Sequence, residues 1–216
     1  MYKHFFKRFF DVFVSLVGLV LTSPILLIIA IAVKLESKGP VIFKQDRVGK
    51  GGKVYKMYKF RSMCTGAEQM AGGVFCVKGD TRVTRVGKFI RATSLDELPQ
   101  FVNILKGDMS LIGPRPVLTY YPKLWEKYTK DELKRFDVRP GITGWAAVHG
   151  RKTNSVKQRF EYDNYYVDNL SFALDVKIFF MTIKSVFTNE GNADDGSAEV
   201  NDLEQNVDSG VEQGTK

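Results

Sequence analysis

The sequence predicts a membrane-associated α/β protein of the α+β type, with a re-entrant N-terminal membrane helix, a small β-hairpin and helices that lie at the membrane interface. Three observations support this fold class. The segment Val12–Val33 runs for 22 residues without a charge, which is long enough to cross a bilayer. Two short strand-like runs flank a glycine cluster at 49–52. The segment Ser171–Thr188 is apolar with only three charged residues, as expected for a helix packed on a core or on a membrane.

Basic and aromatic residues lead into the apolar run, which suits a membrane surface. They are Lys3, His4, Lys7 and Arg8, among four phenylalanines in residues 1–11. The apolar run is too long for a cleaved signal peptide, and the chain lacks secretory features such as paired cysteines.

The apolar run is interrupted near its midpoint by Ser23-Pro24, where proline removes an intrahelical hydrogen bond and bends the helix. Cations flank both ends, whereas a spanning helix usually shows an asymmetry. The cations are Lys3, Lys7 and Arg8 before the run and Lys34, Lys38 and Lys44 after it. We therefore favour a bent, re-entrant helix with both ends on the cytoplasmic face. A simple span is the alternative, and a buried core helix fits less well because the run is apolar all round.

The charge of the chain is unevenly distributed. The formal net charge is +8, but residues 189–216 hold eight acids against one lysine, so residues 1–188 carry +15. The acidic tail has no aromatic residue and is predicted to be disordered and dispensable for chemistry. A basic body suits nucleic acid, anionic lipid or phosphorylated small molecules as partners.

We divide the chain into the re-entrant helix with its basic lead-in (1–36), an interfacial catalytic domain (37–188) and the acidic tail (189–216). Cys64 and Cys76 form neither a disulfide framework nor a spaced metal site, so a reducing cytoplasmic setting is expected. Two histidines, His4 and His149, are too few and too far apart for a histidine-based metal centre.

The hairpin is predicted from strands at Val41–Phe43 and Val54–Phe60, joined through Gly49–Gly52. The glycine cluster lacks the spacing of a Walker motif or a dinucleotide fingerprint, so a turn is the better interpretation. Lys59 and Arg61 at the end of the second strand fit either phosphate ligands or solvated edge charges.

Two adjacent carboxylates, Asp96 and Glu97, sit among cations, which suits a site for an anionic substrate. The cations are Lys78, Arg82, Arg85, Lys88 and Arg91 before the pair, and Lys106 and Arg115 after it. Neighbouring helical side chains point about 100° apart, so we expect one acid to face the reaction and the other to orient or prime it. A structural interpretation is also open, because Ser94 and Glu97 have the spacing of a capping box. The buried stripe behind that box would be Leu95, Leu98, Phe101, Val102 and Leu105.

Glycine and proline punctuate the rest of the chain. Gly107 is a predicted helix C-cap, and Leu111–Pro116 forms a stiff turn that fixes Arg115. Residues Tyr120–Phe136 are predicted to be helical, and Arg139–Trp145 forms another turn.

Several motifs occur together in one order. After the apolar helix with Ser23-Pro24 come KFRSM at 59–63, TSLDELPQ at 93–100, LIGPRP at 111–116 and RPGITGW at 139–145. In these motifs the sequence resembles the bacterial sugar transferase family, the monotopic phosphoglycosyl transferases, over about residues 1–188. It resembles the minimal catalytic form of the family.

The resemblance implies transfer of a sugar 1-phosphate from a UDP-sugar to undecaprenyl phosphate, a polyprenol phosphate, with release of UMP. By the same resemblance Asp96 is the nucleophile, forms a covalent aspartyl-phosphosugar intermediate and binds Mg²⁺, the expected cofactor. Glu97 would handle a proton or orient the site. The ligands of substrate phosphate would be Lys59, Arg61, Arg91, Arg115 and Arg151.

The resemblance further implies a protein of the bacterial inner membrane, with the catalytic domain on the cytoplasmic face. Its reaction would be the first membrane step of capsule, exopolysaccharide, lipopolysaccharide O-antigen or glycoprotein glycan synthesis. The sugar and the downstream product stay open, as does a homo-oligomer. The sequence departs from the family pattern at Ala147, His149 and Lys152, where glutamine, asparagine and asparagine are common. These departures bear on the donor and not on the nucleophile.

Three other classes compete with this interpretation. A membrane-bound scaffold would hold anionic lipid without catalysis, and Asp96→Ala would leave its lipid binding intact. A nucleic-acid binder would need a recognisable binding motif and would not explain the apolar helix. A phosphohydrolase would use the same carboxylates and magnesium but would pass the phosphosugar to water.

Overall fold

The computed structural model describes residues 2–70, 73, 79–150 and 154–188. The fold mixes helices and sheets, as predicted. The helices are α1 (Lys7–Glu36), α2 (Arg85–Ala92), α3 (Gln100–Lys106), α4 (Lys130–Leu133), α5 (Trp145–Val148), α6 (Val156–Asn169) and α7 (Phe172–Thr188). The strands are β1 (Ile42–Val48), β2 (Val54–Phe60), β3 (Ser110–Ile112), β4 (Val117–Leu118) and β5 (Gly141–Thr143). The predicted acidic tail lies outside the described residues.

Helix α1 is long and apolar enough to cross a membrane, with a mean hydropathy of 2.8 over its 18-residue window. Both of its ends contact the rest of the protein. Near its start, the Arg8 guanidinium donates to the carbonyls of Ile104 and Leu105 at 2.6 and 3.1 Å. At its end, the Glu36 carboxylate accepts the backbone N–H of Arg85 at 2.7 Å and so caps α2. The two ends of the apolar helix therefore lie against one body.

One face of α1 packs on that body and the other is bare. The buried residues of α1 are Asp11, Ser15, Ile29 and Val33. Between these pairs Gly18 faces α3, where an added Cβ would lie 3.0 Å from the Phe101 ring. The bare face is made of large apolar side chains that are at least half exposed: Phe9, Phe13, Leu16, Val20, Leu21, Leu27, Ile28, Ile31 and Leu35.

The predicted break at Ser23-Pro24 does not interrupt the helix, because α1 continues through both residues. Pro24 has no N–H to donate to the carbonyl of Val20, four residues earlier. The Ser23 hydroxyl donates to that carbonyl instead, at 2.8 Å. The serine thus supplies the hydrogen bond that the proline removes, so α1 stays one continuous helix. The bend predicted at these two residues stays a prediction.

The predicted hairpin is confirmed. Strands β1 and β2 pair antiparallel from Ile42↔Phe60 to Val48↔Val54, and β4 adds to the other edge of β1. Gly51 and Gly52 in the connecting turn have φ of 64° and 80°, which glycine adopts without strain. A second, parallel pair joins β3 to β5.

The predicted helix over Tyr120–Phe136 is wrong. In its place stand a 3₁₀ turn at Trp125–Lys127, the short α4 and a second 3₁₀ turn at Lys134–Asp137. Thr129 starts α4 through a capping box with Glu132. Thr129 caps a new helix in the middle of the predicted one. The prediction relied on the basic and aromatic composition of the segment and overlooked this capping residue.

Helix α7 confirms the predicted C-terminal helix. Leu174 and Ile178 pack into a core cluster with Ile112 and Tyr166. The opposite face is apolar and at least 37% exposed, through Phe172, Val176, Phe179, Phe180 and Ile183. Lys7 of α1 forms an ion pair with Asp175 of α7 at 2.8 Å, so the bare faces of α1 and α7 belong to neighbouring helices.

Candidate active site

The two adjacent carboxylates lie in a 3₁₀ turn, Leu95–Glu97, between α2 and α3. Ser94 starts this turn with φ of 56° and is the only non-glycine residue with a positive φ in the part of the chain that the structure describes. A backbone in this region costs free energy and is often found at functional sites. Ser94 makes no side-chain cap to the turn, so the capping-box interpretation is wrong.

The predicted buried stripe of the helix is confirmed only in part, because Leu95 and Phe101 pack against buried core clusters. Helix α3 begins only at Gln100, and its buried residues are Gln100, Asn103 and Ile104, whereas Val102 is exposed. Gly107 ends the helix with φ of 93°, as predicted. The 3₁₀ turn has three residues per turn and an α-helix has 3.6. The residues of the turn therefore do not continue the spacing of the buried face of α3.

Asp96 and Glu97 occupy different environments, as their adjacent positions predict. Asp96 is buried, with 8% of its surface exposed. The Glu97 carboxylate accepts a hydrogen bond from the Lys59 ammonium at 2.9 Å, and both side chains are partly buried. Strand β2 therefore places the Lys59 ammonium next to the carboxylate pair.

The charges around Asp96 act in opposite directions. Burial is the largest effect and raises the pKa of Asp96, and the nearby Glu97 raises it further. The cations Lys59 and Arg91 oppose this rise in pKa, Arg91 from the last turn of α2. The result is a desolvated carboxylate with cations beside it, which is the setting of an activated nucleophile that meets an anionic substrate.

Asn103 is a site-forming residue that the sequence reasoning missed. Its side-chain amide accepts the N–H of Tyr58 at 2.9 Å and donates to the carbonyl of Lys56 at 2.7 Å. These bonds fix α3 to β2 on the strand that carries Lys59. A polar residue at helical spacing from apolar neighbours is the signal that could have identified it, because a buried amide needs partners on a facing element.

Arg61 does not join this site. Its guanidinium is 5% exposed and donates to the carbonyls of Val33, Ser37 and Lys38 at 3.1, 2.7 and 3.0 Å. These are carbonyls at the end of α1, which a cation stabilises. We therefore correct the prediction that Arg61 binds substrate phosphate and assign it to holding α1 on the body.

Arg115 is placed in a different setting from the carboxylate pair. Its side chain is exposed, and it lines a recess with Gly113, Gly144 and the buried Asp163. Burial lowers the pKa of the neighbouring Arg47, and the charge of Arg115 lowers it further. Arg151, the remaining predicted phosphate ligand, lies outside the described residues.

The carboxylate pair has the kind and number of ligands that Mg²⁺ usually takes from a protein. Among the described residues, no group of three or more histidine, cysteine, aspartate or glutamate side chains is arranged to hold a metal ion. Mg²⁺ usually takes one or two carboxylates and completes its octahedron with water and substrate phosphate oxygens. Asp96, with Glu97 beside it, fits that donor set.

Several known proteins with similar sequences are named as sugar or sugar-phosphate transferases. The chain is 48% identical over 190 residues to the UDP-N-acetylgalactosamine-undecaprenyl-phosphate N-acetylgalactosaminephosphotransferase of Aeromonas hydrophila, covering 87% of this chain and 45% of that protein. It is 47% identical over 190 residues to the UDP-glucose:undecaprenyl-phosphate glucose-1-phosphate transferase of Klebsiella pneumoniae, covering 86% and 41%. The chain thus spans less than half the length of these two relatives.

A shorter relative is matched over most of its length. The chain is 45% identical over 185 residues to the uncharacterized sugar transferase EpsL of Bacillus subtilis, covering 86% of this chain and 89% of that protein. The sequence model described as bacterial sugar transferase matches residues 2–189, which include the carboxylate turn, Lys59 and Arg91. The chain belongs to the bacterial sugar transferase family.

Proposed function

We propose that this protein transfers a sugar 1-phosphate from a UDP-sugar to undecaprenyl phosphate and releases UMP. The observation that carries the proposal is the buried Asp96, whose carboxylate lies beside Lys59 and Arg91 in a chain of the sugar transferase family. The names of two relatives specify undecaprenyl phosphate as acceptor and different UDP-sugars as donors. The reaction class is therefore proposed without a named sugar.

The reaction proceeds in two displacements at one phosphorus atom. A carboxylate oxygen of Asp96 attacks the β-phosphorus of the UDP-sugar, the bond to the bridging oxygen between the two phosphates breaks, and UMP leaves with that oxygen. A phosphate oxygen of the lipid then attacks the same phosphorus and displaces Asp96. The products are the polyprenol diphosphate sugar and the original carboxylate.

The surrounding groups have separate tasks in this scheme. Lys59 and Arg91 bind phosphate oxygens and stabilise the negative charge that builds up during transfer. Glu97 keeps the Lys59 ammonium in place through their ion pair. Asp96 would hold Mg²⁺, which would neutralise charge on the donor diphosphate.

We also propose that α1 is a re-entrant helix in the inner membrane, with the catalytic domain on the cytoplasmic face. A straight helix of 30 residues is about 45 Å long, so the ends of a simple span would emerge on opposite sides. Contacts at both Arg8 and Glu36 with the same body support a helix that enters and leaves on one side. The lipid substrate and the soluble donor can then reach one carboxylate.

Cysteine accessibility tests this topology. In a background with Cys64→Ser and Cys76→Ser, the variants Lys3→Cys and Lys38→Cys carry one thiol on either side of the apolar run. We expect a membrane-impermeant maleimide to label both from the cytoplasmic side of inverted vesicles and neither from the outside of intact spheroplasts. Labelling of the two positions from opposite sides would establish a spanning helix.

UMP release tests the proposed reaction. Purified protein is incubated with Mg²⁺, undecaprenyl phosphate and each of a panel of UDP-sugars. We expect one donor to give multiple turnovers with lipid, and at most one equivalent of UMP per protein without it, because the lipid regenerates Asp96. Lipid-independent turnover with release of free sugar phosphate would establish the phosphohydrolase. Absence of UMP with every donor, while anionic vesicles are still bound, would favour the lipid-binding scaffold.

Loss of the Lys59 charge should impair transfer without unfolding the protein. We expect Lys59→Met to lower kcat/KM for the UDP-sugar by about 10²-fold, since one cation at the reacting phosphate is removed. The Tm should change little, because a partly exposed ion pair contributes about 1 kcal/mol or less. Lys56→Met is the matched control, since Lys56 pairs with Asp46 on the same hairpin at 2.9 Å. Equal losses of activity in the two variants would contradict a direct role for Lys59.

A further inference from the structure

The main chain of Arg115 is held by two buried charged side chains. The Asp163 carboxylate accepts the backbone N–H of Arg115, and the Arg135 guanidinium donates to the Arg115 carbonyl at 2.7 Å. Arg135 and Asp163 also pair with each other, with 2.6 Å between Nη2 and Oδ2. The peptide groups on both sides of Arg115 are therefore fixed by one ion pair.

The ion pair lies in the interior of the protein. Arg135 is 3% exposed and Asp163 is 1% exposed, and the Arg135 guanidinium lies 4.5 Å from the centre of the Phe160 ring. A buried ion pair contributes little to folding stability, because removing both charges from water costs free energy. Such a pair can instead hold the surrounding backbone in one conformation. Burial raises the pKa of Asp163, and the adjacent Arg135 guanidinium opposes that rise because it favours the ionised carboxylate.

The Arg135–Asp163 ion pair fixes the backbone of a residue whose own cationic side chain is exposed, Arg115. Arg115 stands between Pro114 and Pro116, whose rings already restrict the backbone, and its own side chain is exposed. Three arginines, Arg135, Arg159 and Arg115, act on the Asp163 charge, and Arg47 lies near Arg115. This excess of positive charge favours an anion in front of Arg115.

We infer that Arg135 and Asp163 are positioning residues, whose buried ion pair fixes the backbone of Arg115 so that its guanidinium meets a substrate phosphate. The inference rests on the proposed function. The phosphate belongs to either the UDP-sugar or undecaprenyl phosphate, and the Michaelis constants for the two substrates distinguish them. Asp163 and Arg135 act through Arg115 and touch no substrate.

A double-mutant cycle tests this coupling. Asp163→Asn, Arg115→Ala and the double variant are compared with the wild type, with KM and kcat measured for both substrates. We expect Asp163→Asn to raise KM for one substrate by about tenfold or more, as a displaced binding group does, with a smaller effect on kcat. In the Arg115→Ala background the same substitution should raise KM no further. Independent, multiplicative effects on KM would overturn the inference.

The chain offers a matched control on the same two elements. Lys134 and Asp168 pair at 2.5 Å, and both are at least 39% exposed. Lys134 is adjacent to Arg135, and Asp168 lies on α6 with Asp163. Asp168→Asn removes an acid from α6 without touching the backbone of Arg115. We expect it to leave both Michaelis constants unchanged.

Two further measurements keep the test decisive. If Asp163→Asn does not fold, Arg135→Met combined with Asp163→Leu replaces the pair by apolar groups of similar volume, which buried pairs often tolerate. That folded variant should show the same rise in KM, and an unchanged KM would overturn the inference. If the wild type releases no UMP, the proposed reaction fails, and the cycle is run on the Kd of inorganic pyrophosphate by calorimetry. A Kd that Asp163→Asn leaves unchanged would then overturn the positioning role on its own.

Discussion

Replacing Asp96 by asparagine is expected to reduce UMP release by about 10³-fold or more and, at the same time, to raise the Tm. The activity falls because the amide cannot attack phosphorus, and loss of a nucleophile removes most of the catalysed rate. The stability rises because a buried carboxylate is ionised at a cost in folding free energy that the neutral amide does not carry. Asp96 is 8% exposed, and burial is the largest cause of its raised pKa.

The gain in stability should depend on pH in one direction. Because the pKa of Asp96 is raised in the folded state above the ordinary value of 3.8, the folded protein binds the proton more tightly than the unfolded chain does. Below 3.8 both states are protonated, and the wild type carries no penalty. As the pH rises through the folded pKa, the wild type loses stability that Asp96→Asn keeps. Melting curves in EDTA from pH 4 to pH 8 should show a difference in Tm that grows with pH.

A control separates the loss of the proposed nucleophile from the general effects of removing an acid. Asp46 is 49% exposed and pairs with Lys56, so Asp46→Asn should leave both activity and Tm close to the wild-type values. Full activity in Asp96→Asn would show that the phosphosugar is never carried on this residue. An unchanged or lower Tm at pH 8 would show that the carboxylate is not desolvated in the folded protein.

The sequence was most informative where structure depends on local chemistry. The hairpin follows from Val54–Phe60 and the glycines before it, and the end of α3 follows from Gly107, because turns and caps depend on a few adjacent residues. The carboxylate pair and its cationic neighbour Arg91 lie within six residues of each other, so a local motif carried most of the predicted site. The resemblance to the family added the reaction.

The predictions failed where contacts between distant segments decide the outcome. Nothing beside Arg61 in the sequence indicates that its guanidinium reaches the end of α1, 23 to 28 residues earlier. The predicted buried face of α3 was incomplete because Asn103 is buried against β2 by hydrogen bonds to its backbone, although its side chain is polar. Periodicity counts apolar residues only, and so it places a buried amide on the surface.

Arg61→Met is expected to lower the free energy of unfolding by about 3 kcal/mol while leaving the binding of the UDP-sugar unchanged. The substitution removes a cation that donates to the carbonyls of Val33, Ser37 and Lys38, and buried carbonyls left without donors are costly. For a chain of this size the corresponding fall in Tm is roughly 6–12 °C. Methionine retains much of the side-chain volume, so the effect reports the lost hydrogen bonds more than a cavity.

The same variant decides between the two roles considered for Arg61. At a temperature below its Tm, a residue that only holds α1 on the body leaves KM for the UDP-sugar unchanged, whereas a phosphate ligand raises it by about tenfold or more. Arg85→Met is the control, because the Arg85 side chain is exposed and only its backbone N–H caps against Glu36; its Tm should stay within about 1 °C of the wild type. A normal Tm with a raised KM in Arg61→Met would return Arg61 to the substrate site. Since its guanidinium joins the C-terminal end of α1 to the strand that carries Lys59, the expected loss of Tm also measures how firmly α1 is fixed to the carboxylate turn.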